Sequence, residues 1–332
     1  MSTFKIGIIG AGGIAGAHAA AAKSSEGKVR IVAVADPSEA GRTKLAGEWD
    51  AKAYASSDEL VANARSLGLE GVVVCTPPHV RVGIVHSALE AGLAVLSEKP
   101  IASSLADAHA LADLARKHSK ARTAVAYCHR FTPAVIEMKR QIDAGRLGRV
   151  TRFENIFACD LPGHEGKWFS DLSVSGGGAF IDMGSHSVDL YRYVIGEAAL
   201  LAAAFDHKWT GRAETGASVL LRSVTSAGGR NLPAGVAGFI ASGWAETSRF
   251  TVAIHGTEGS MFYDYEKPEE IVYKDLLGKP EVKPIETCGV RFTRQLVQFS
   301  DYARGGASGG LASFEDGLAT ARIVDGANRA GR

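Results

Sequence analysis

The chain has few cysteines and no long apolar runs. Its four cysteines, Cys75, Cys128, Cys159 and Cys288, are widely spaced among 332 residues and form no CxxC pair. This spacing favours reduced thiols over a disulfide framework or a zinc site, so we expect no metal. The apolar runs are far shorter than the ~20 residues of a membrane-spanning helix. The first residues also lack the basic and apolar regions of a signal peptide, which indicates a cytoplasmic protein.

An excess of either charge is also absent. Lys and Arg total 37 against 36 Asp and Glu, so the charge balance does not favour nucleic acid or an anionic membrane as a partner. Hydrophobic residues make up 46% of the chain, which is typical of a globular protein with a large core. The length predicts two domains. The sequence pattern changes after residue 126, so we expect one domain at residues 1–126 and the other at residues 127–332.

The first half alternates short apolar strands with helices, which predicts a Rossmann fold, an α/β doubly wound parallel sheet. Its first strand leads into Gly10-Ala11-Gly12-Gly13-Ile14-Ala15 and then a helix. In a dinucleotide site, the first glycine permits a tight turn, the second admits the pyrophosphate, and the helix N-terminus faces the phosphates. We therefore predict that Gly10, Gly12, Gly13 and Ile14 bind a dinucleotide.

Asp36 ends the second strand, where a carboxylate can accept hydrogen bonds from the adenosine ribose. The same charge repels a 2′-phosphate, which favours NAD over NADP. Arg42 could hold such a phosphate, but we expect it in the next helix, pointing to solvent. The alternative for Asp36 is a plain turn residue before Pro37.

Three polar segments follow strand ends in this half, and ligands of doubly wound sheets bind at such ends. They cover residues 76–79, 98–100 and 127–130. We expect the first two to contribute cofactor contacts and the third to contribute substrate contacts. The cofactor candidates are Thr76, Pro77, His79, Glu98 and Lys99, and the substrate candidates are Lys99, Tyr127 and Arg130.

Residues 176–196 read as one helix that leaves a glycine run and ends at Gly196. Asp182, His186, Asp189 and Tyr193 stand at i, i+4, i+7 and i+11 and so share a face. A polar stripe on an otherwise apolar helix favours a buried stripe lining a cavity. The alternative is a core helix whose Asp and His satisfy each other.

The second half is rich in strands, which predicts an α+β domain with a large, mostly antiparallel open sheet. We expect the open face to carry Phe239, Trp244, Phe250 and Phe262 and to pair with another subunit in a homodimer or homotetramer. Glycine-rich turns are expected at residues 226–234 and 256–259, and a last helix at 314–330. The strands are expected at residues 150–158, 217–224, 236–244, 250–255, 260–265 and 271–274.

The order of motifs over essentially the whole chain resembles the Gfo/Idh/MocA family, relatives of glucose–fructose oxidoreductase and inositol dehydrogenase. The resemblance rests on G-A-G-G-I-A-G-A-H at 10–18, V-A-D-P at 34–37, V-C-T-P-P at 74–78, A-G-L-A-V-L-S-E-K-P at 91–100, H-R-F-T-P at 129–133, G-R-L-G at 145–148, S-G-G-G-A-F-I-D-M-G-S-H-S-V-D at 175–189, H-G-T-E-G at 255–259 and F-E-D-G at 314–317. It implies Lys99, Asp182 and His186 as active-site residues. The chain departs from the family at Arg81, where a histidine is frequent, and at Trp168-Phe169, where W-R is frequent.

The resemblance implies hydride transfer between NAD(P) and a secondary alcohol or ketone of a sugar or cyclitol. Neutral His186 suits the base, Lys99 suits the developing alkoxide, and Asp182 either orients His186 or holds a substrate hydroxyl. We also expect Trp168, Asp182 and His186 to contact substrate. An NAD-dependent glycosidase, an NAD- or sugar-sensing regulator and, through His164 with Glu165, a metal hydrolase remain as alternatives.

Overall fold

The computed structural model describes residues 2–224 and 232–331, and the chain forms two compact units. One unit contains Met1–Cys128 and Val290–Leu318, and the other contains His129–Gly289 and Ala319–Arg332. The first break lies two residues beyond the expected boundary. The chain also returns to the first unit at Val290, so a single boundary does not describe the division into two units.

The secondary structure consists of fourteen strands and eleven α-helices in the part of the chain described. The strands are β1 Phe4–Ile9, β2 Val29–Ala35, β3 Lys52–Tyr54, β4 Gly71–Val74, β5 Ala94–Ser97, β6 Thr123–Val125, β7 Val150–Asp160, β8 Ala198–Asp206, β9 Gly216–Ser223, β10 Ala237–Gly243, β11 Ala245–Gly256, β12 Gly259–Asp264, β13 Glu270–Asp275 and β14 Pro280–Pro284. The helices are α1 Gly13–Lys23, α2 Glu39–Gly47, α3 Ser57–Ala62, α4 Ala64–Leu67, α5 Arg81–Glu90, α6 Leu105–Lys117, α7 Pro133–Asp143, α8 Leu172–Ser175, α9 Ser185–Val194, α10 Arg291–Ala303 and α11 Phe314–Ala330.

The first unit is built on a six-stranded parallel sheet in the order β3-β2-β1-β4-β5-β6. Strand β4 is buried along its whole length, as expected for a parallel sheet covered on both faces. The strand order reverses between β1 and β4, which is where ligands of doubly wound sheets bind. The predicted Rossmann fold is confirmed.

Helix α10 explains the return of the chain to this unit. It packs against α1, and its Phe299 is fully buried with its ring 6.1 Å from that of Phe4 in β1. The sequence of an amphipathic helix does not show which domain it packs against. Because α10 follows the strands of the second domain along the chain, the sequence analysis placed it in that domain.

The second unit is built on an eight-stranded sheet in the order β14-β13-β12-β11-β7-β10-β9-β8. All neighbours are antiparallel except β7 and β10. Each predicted strand overlaps an observed one, so the mostly antiparallel sheet is confirmed. The predicted turn at 226–234 falls mainly on residues 225–231, which lie outside the described residues.

One face of this sheet carries the core of the second unit. Buried side chains alternate along its strands, for example Phe153 and Phe157 in β7 and Val252 and Ile254 in β11. Helices α7 and α9 and the second part of α11 add apolar side chains to the same core. The expectation that Trp244 and Phe250 lie on the open face is wrong. Trp244 is 0% exposed, and Phe250 lies opposite Phe157 and packs against the core, with the two rings 5.6 Å apart.

The predicted single helix over residues 176–196 is wrong in its first half. A π-helical turn, Phe180–Gly184, comes first, and the regular helix α9 begins only at Ser185. A π-turn adds a residue to the hydrogen-bonded ring, so the i, i+4, i+7 spacing counted from Asp182 does not describe one helix face.

Among the residues described, the structure has no helix long and apolar enough to cross a membrane.

Candidate functional site

The glycine loop of the first unit has the shape that a dinucleotide requires. Gly10 has a φ of +95°, and a Cβ there would lie 2.9 Å from the carbonyl carbon of Cys75, so only glycine suits this turn. A Cβ on Gly12 or Gly13 would meet nothing within 4 Å among the described residues. Gly12 is the N-cap of α1 and carries no side chain to cap the helix. The loop and helix end therefore fit a pyrophosphate.

Asp36 lies beside this loop with its carboxylate fixed. The N–H of Ala11 donates to Oδ2 at 2.6 Å, and the N–H of Ser38 donates to Oδ1 at 2.7 Å. Each carboxylate oxygen has a second lone pair, so Asp36 retains the capacity to accept ribose hydroxyls. Arg42 does not simply point to solvent, because its Nη1 donates to the carbonyls of Asp36 and Pro37 at 3.3 and 3.1 Å.

A buried arginine holds the strand-end loops of the first unit together. Arg81 is 3% exposed, and its Nε and Nη2 donate to the carbonyl of Thr76 at 3.1 and 2.7 Å. Its Nη1 donates to the carbonyls of Glu98 and Pro100. The sequence singled Arg81 out only as a departure from the family, and its position at the start of α5 gave no signal of this role.

Glu98 fixes the same segment from the other side. Its Oε1 is hydrogen-bonded to His18 Nε2 at 2.8 Å, and its Oε2 accepts the N–H of Lys99 at 3.0 Å. His18 is fully buried, and its ring meets Phe292 of α10 edge to face at 5.8 Å. The backbone of Lys99, whose bond to Pro100 is cis, is thus held on both sides by buried charged groups.

Burial changes the acid–base properties of this cluster. It lowers the pKa of Arg81 to about 10, partly opposed by the charge of Glu98, and the guanidinium stays charged near neutral pH. Burial, with the charge of Glu98, raises the pKa of the Cys75 thiol. Cys75 is therefore a protonated core residue and not a nucleophile.

The remaining candidates of the first unit differ in exposure. Tyr127 is buried, Ile14 and Pro77 are half-buried, and His79 is exposed on the 3₁₀ turn Pro78–Val80. Their proposed cofactor and substrate contacts stay predictions.

In the second unit, a buried glutamate holds the glycine run. Glu214 is 2% exposed, and its Oε1 accepts the N–H groups of Gly178 and Phe180 at 2.8 and 3.1 Å. A Cβ on Gly178 would lie 2.0 Å from the carbonyl oxygen of Glu214, and one on Gly184 would lie 2.2 Å from the ring of Phe180. Both glycines are required by packing, and the sequence offered no sign that Glu214 was the partner of Gly178.

The catalytic candidates of this unit follow the glycine run. Asp182 accepts a hydrogen bond from Trp244 Nε1 on Oδ2 at 3.1 Å. The ring of His186 meets that of His129 edge to face at 4.6 Å, and His129 Nδ1 lies 2.8 Å from the hydroxyl of Tyr265. His129 was not among the predicted site residues, although the sequence had placed it in a strand-end segment.

The rest of the predicted polar stripe stabilises the fold. Asp189 is 1% exposed and forms a bidentate ion pair with Arg130, with Nε and Nη2 donating at 2.8 and 2.7 Å. The guanidinium of Arg130 also lies 5.0 Å above the ring of Tyr193. Trp168, the last substrate candidate, is exposed beside Phe169.

Two family models match the chain. One, described as "Oxidoreductase family, NAD-binding Rossmann fold", covers residues 4–127, and the other, "GFO/IDH/MocA C-terminal domain", covers residues 135–262. Together they span most of the chain and correspond to the two halves described above.

Curated proteins and solved structures agree with these matches. The rhizopine catabolism protein MocA of Rhizobium meliloti is 34% identical over 59% of this chain and 59% of its own length, so the chain spans less than two thirds of it. Inositol 2-dehydrogenase of Rhizobium meliloti is 28% identical over 81% of this chain and 78% of its own length. The structure of levoglucosan dehydrogenase in complex with NADH has a TM-score of 0.87 at 22% identity, covering 99% of this chain and 97% of that one, which shows a common fold.

Substitutions of Glu214 test how far the glycine run depends on it. Glu214→Ala leaves two buried N–H donors without their acceptor, and we expect it to lower the free energy of unfolding by roughly 2–4 kcal/mol. Glu214→Gln keeps an acceptor oxygen but cannot ionise. Exposed Glu269→Gln is the matched control and should be neutral.

The effect of Glu214→Gln should depend on pH. Burial raises the pKa of Glu214, so its contribution to stability is complete below the unfolded value of ~4.3 and is lost as the pH rises through the folded value. The variant should therefore gain stability relative to wild type across that window in denaturant unfolding. A pH-independent difference would contradict a buried, ionising carboxylate.

Proposed function

Because the chain belongs to the GFO/IDH/MocA oxidoreductase family, we propose that it is an NAD(P)-dependent dehydrogenase for a secondary alcohol, or the matching ketone, of a sugar or cyclitol. The observation that supports this most is that Lys99 and Asp182 stand on fixed segments and that the ring of His186 packs edge to face on that of His129. Lys99 has its backbone N–H bound by Glu98, and Asp182 is hydrogen-bonded to Trp244. The inositol dehydrogenase relative supports the substrate class.

Each group has a separate task in this proposal. NAD(P), when bound, supplies the hydride acceptor. The ammonium of Lys99 stabilises the negative charge that develops on the alcohol oxygen, and neutral His186 accepts the hydroxyl proton. Asp182, whose Oδ2 is bound to Trp244, holds a neighbouring substrate hydroxyl or orients His186.

Loss of His186 tests the assignment of the base. We expect His186→Ala to leave NAD binding intact and to lower turnover by ~10²–10⁴-fold, the usual worth of a general base. NAD binding is measured by calorimetry, and turnover by the near-ultraviolet absorbance of reduced nicotinamide with a panel of inositols, aldoses and keto sugars. Exposed His86→Ala is the control. Turnover near the wild-type rate would remove His186 from this role.

We propose NAD rather than NADP as the cofactor, because the carboxylate of Asp36 is held beside the glycine loop by Ala11 and Ser38. A negative charge there disfavours a 2′-phosphate. Nη1 of Arg42 donates to the carbonyls of Asp36 and Pro37.

Asp36→Ala tests this preference. Removing the carboxylate should weaken NAD binding roughly 10-fold, since a charged hydrogen-bond acceptor is lost, and should improve the relative binding of NADP. The dissociation constants of NAD and NADP are measured for wild type and variant, with Asp143→Ala, which removes an exposed carboxylate of the second unit, as the control. An unchanged NAD/NADP ratio would mean that another group recognises the ribose.

Two other functions are compatible with the same family. A glycosidase that oxidises and then re-reduces its substrate would release a leaving group with no accumulation of NADH. A sensor would bind NAD or sugar without turnover. Retention of Lys99 and His186 favours catalysis, and the substrate panel, extended by a nitrophenyl glycoside whose leaving group is coloured, separates all three.

We also propose a homodimer or homotetramer through the open face of the second sheet. Register places Leu220, Phe239, Glu154, Ala253, Phe262, Val272 and Val282 in one row across the strands of that face. Leu220 and Phe262, on either side of Glu154, are 45% and 38% exposed, and exposed apolar side chains on a sheet face favour burial against another subunit.

Charges placed in this row should separate the subunits. We expect Leu220→Asp with Phe262→Asp to lower the mass found by analytical ultracentrifugation to that of a monomer. Leu277→Asp, at a 94% exposed position between β13 and β14, is the control and should leave the assembly intact. A wild-type monomer, or an unchanged assembly in the double variant, would contradict this interface.

A further inference from the structure

Two histidines and a glutamate of the first unit converge where helices α5 and α6 meet. His86 and Glu90 stand one turn apart on α5, and His118 directly follows α6. One ring nitrogen of each histidine and one carboxylate oxygen of Glu90 lie within 4.8 Å of one another. We call these three residues the histidine–glutamate cluster. The expectation of no metal rested on the cysteines, and this cluster contains none.

The separations within the cluster fit a metal ion better than a hydrogen bond. Nε2 of His86 and Nε2 of His118 lie 3.4 and 3.2 Å from Oε1 of Glu90. A charge-assisted hydrogen bond between a ring nitrogen and a carboxylate is about 2.7–2.9 Å long. Two ligands that are each about 2.0–2.1 Å from a tetrahedral zinc ion lie about 3.3–3.4 Å apart. Both measured separations are close to this second value.

His118 provides an independent observation. Its side chain is 17% exposed, and its Nε2 is buried and forms no hydrogen bond among the residues described. Buried polar atoms usually have a partner, so this nitrogen lacks one that a metal ion would supply. Its backbone is also fixed, because its N–H donates to the carbonyl of Leu114 and its carbonyl accepts the N–H of Ala121, both at 2.9 Å.

Charge and access also suit a cation. Glu90 supplies a carboxylate, and His86 lines a cavity of about 500 Å³ beside α5 and α6, which gives an ion a path from solvent. Lys117 competes for the same carboxylate, since its Nζ lies 3.7 Å from Oε1 of Glu90. The side chain of Lys117 is 67% exposed, so it is free to turn into water when a metal ion binds.

We propose that the histidine–glutamate cluster binds a divalent transition-metal ion, with two imidazole nitrogens and one carboxylate oxygen as protein ligands and water completing the coordination. These ligands suit Zn²⁺, whereas Mg²⁺ and Ca²⁺ prefer oxygen ligands alone. The ion joins α5 to the end of α6 and thereby stabilises the first unit. The inference is independent of the proposed function, because it uses none of the residues assigned to cofactor or substrate.

Metal binding to the untagged protein, first freed of metal with a chelator, tests this site. Calorimetry should detect binding of Zn²⁺ but not of Mg²⁺, and Co²⁺ should show the visible absorption of a tetrahedral complex. His118→Ala and Glu90→Gln should each weaken Zn²⁺ binding at least about 10-fold, because loss of outer-shell partners alone costs 10–100-fold. Equal affinity in wild type and in both variants would overturn the inference.

Three further variants locate the ion. His207→Ala removes an exposed histidine of the second unit and should leave the affinity for Zn²⁺ unchanged. His129→Ala, next to the proposed base, should also leave it unchanged. Lys117→Gln removes the competing ammonium and should tighten Zn²⁺ binding severalfold. Loss of binding in His129→Ala but not in His118→Ala would place the ion elsewhere and refute this site.

Thermal unfolding gives a second readout. Zn²⁺ should raise the Tm of wild type and should leave the Tm of Glu90→Gln nearly unchanged, because only a site in the folded state shifts the equilibrium. Glu90 is exposed, so this variant folds normally and keeps the test decisive even where His118→Ala does not fold. If neither Tm nor the Co²⁺ spectrum of wild type responds to metal, the site is refuted while the dehydrogenase proposal stands.

Discussion

The buried carboxylate of Glu214 positions the part of the second unit on which the proposed chemistry depends. It binds two N–H groups of the glycine run, and the close approach of its own backbone leaves no room for a side chain at Gly178. The π-helical turn starts from this anchor and brings Asp182 against Trp244. The placement of Asp182 therefore depends on the contacts of Glu214 with the glycine run.

The first unit uses the opposite charge for a similar purpose. Arg81 binds three backbone carbonyls, and the Glu98–His18 pair binds the chain beside them. In both units a buried ionisable side chain hydrogen-bonds mainly to backbone atoms. It therefore fixes a loop and leaves the neighbouring side chains available for other contacts. A rigid supporting shell of this kind is what a catalytic lysine or histidine needs in order to act at a fixed place.

The sequence predicted the features that depend on local pattern. The glycine loop has a turn signal in the sequence. The buried strand β4 and the strands of the second sheet are marked by the pattern of their apolar residues. The rest depends on distant partners: Glu214 lies 36 residues beyond Gly178, and Arg130 lies 59 residues before Asp189. Within the π-turn the Phe180 ring packs over Gly184, a contact that no spacing rule shows. For the same reason Arg81 and His129 were not assigned.

The most direct measurement is the fate of the hydrogen on the substrate carbon. A sugar or cyclitol deuterated at the carbinol position is incubated with the protein and NAD, and the recovered cofactor is examined by nuclear magnetic resonance. The account predicts that deuterium accumulates at C4 of the reduced nicotinamide in step with ketone formation, and that Lys99→Met abolishes both. Ketone without label in the cofactor, or unimpaired transfer in Lys99→Met, would contradict it.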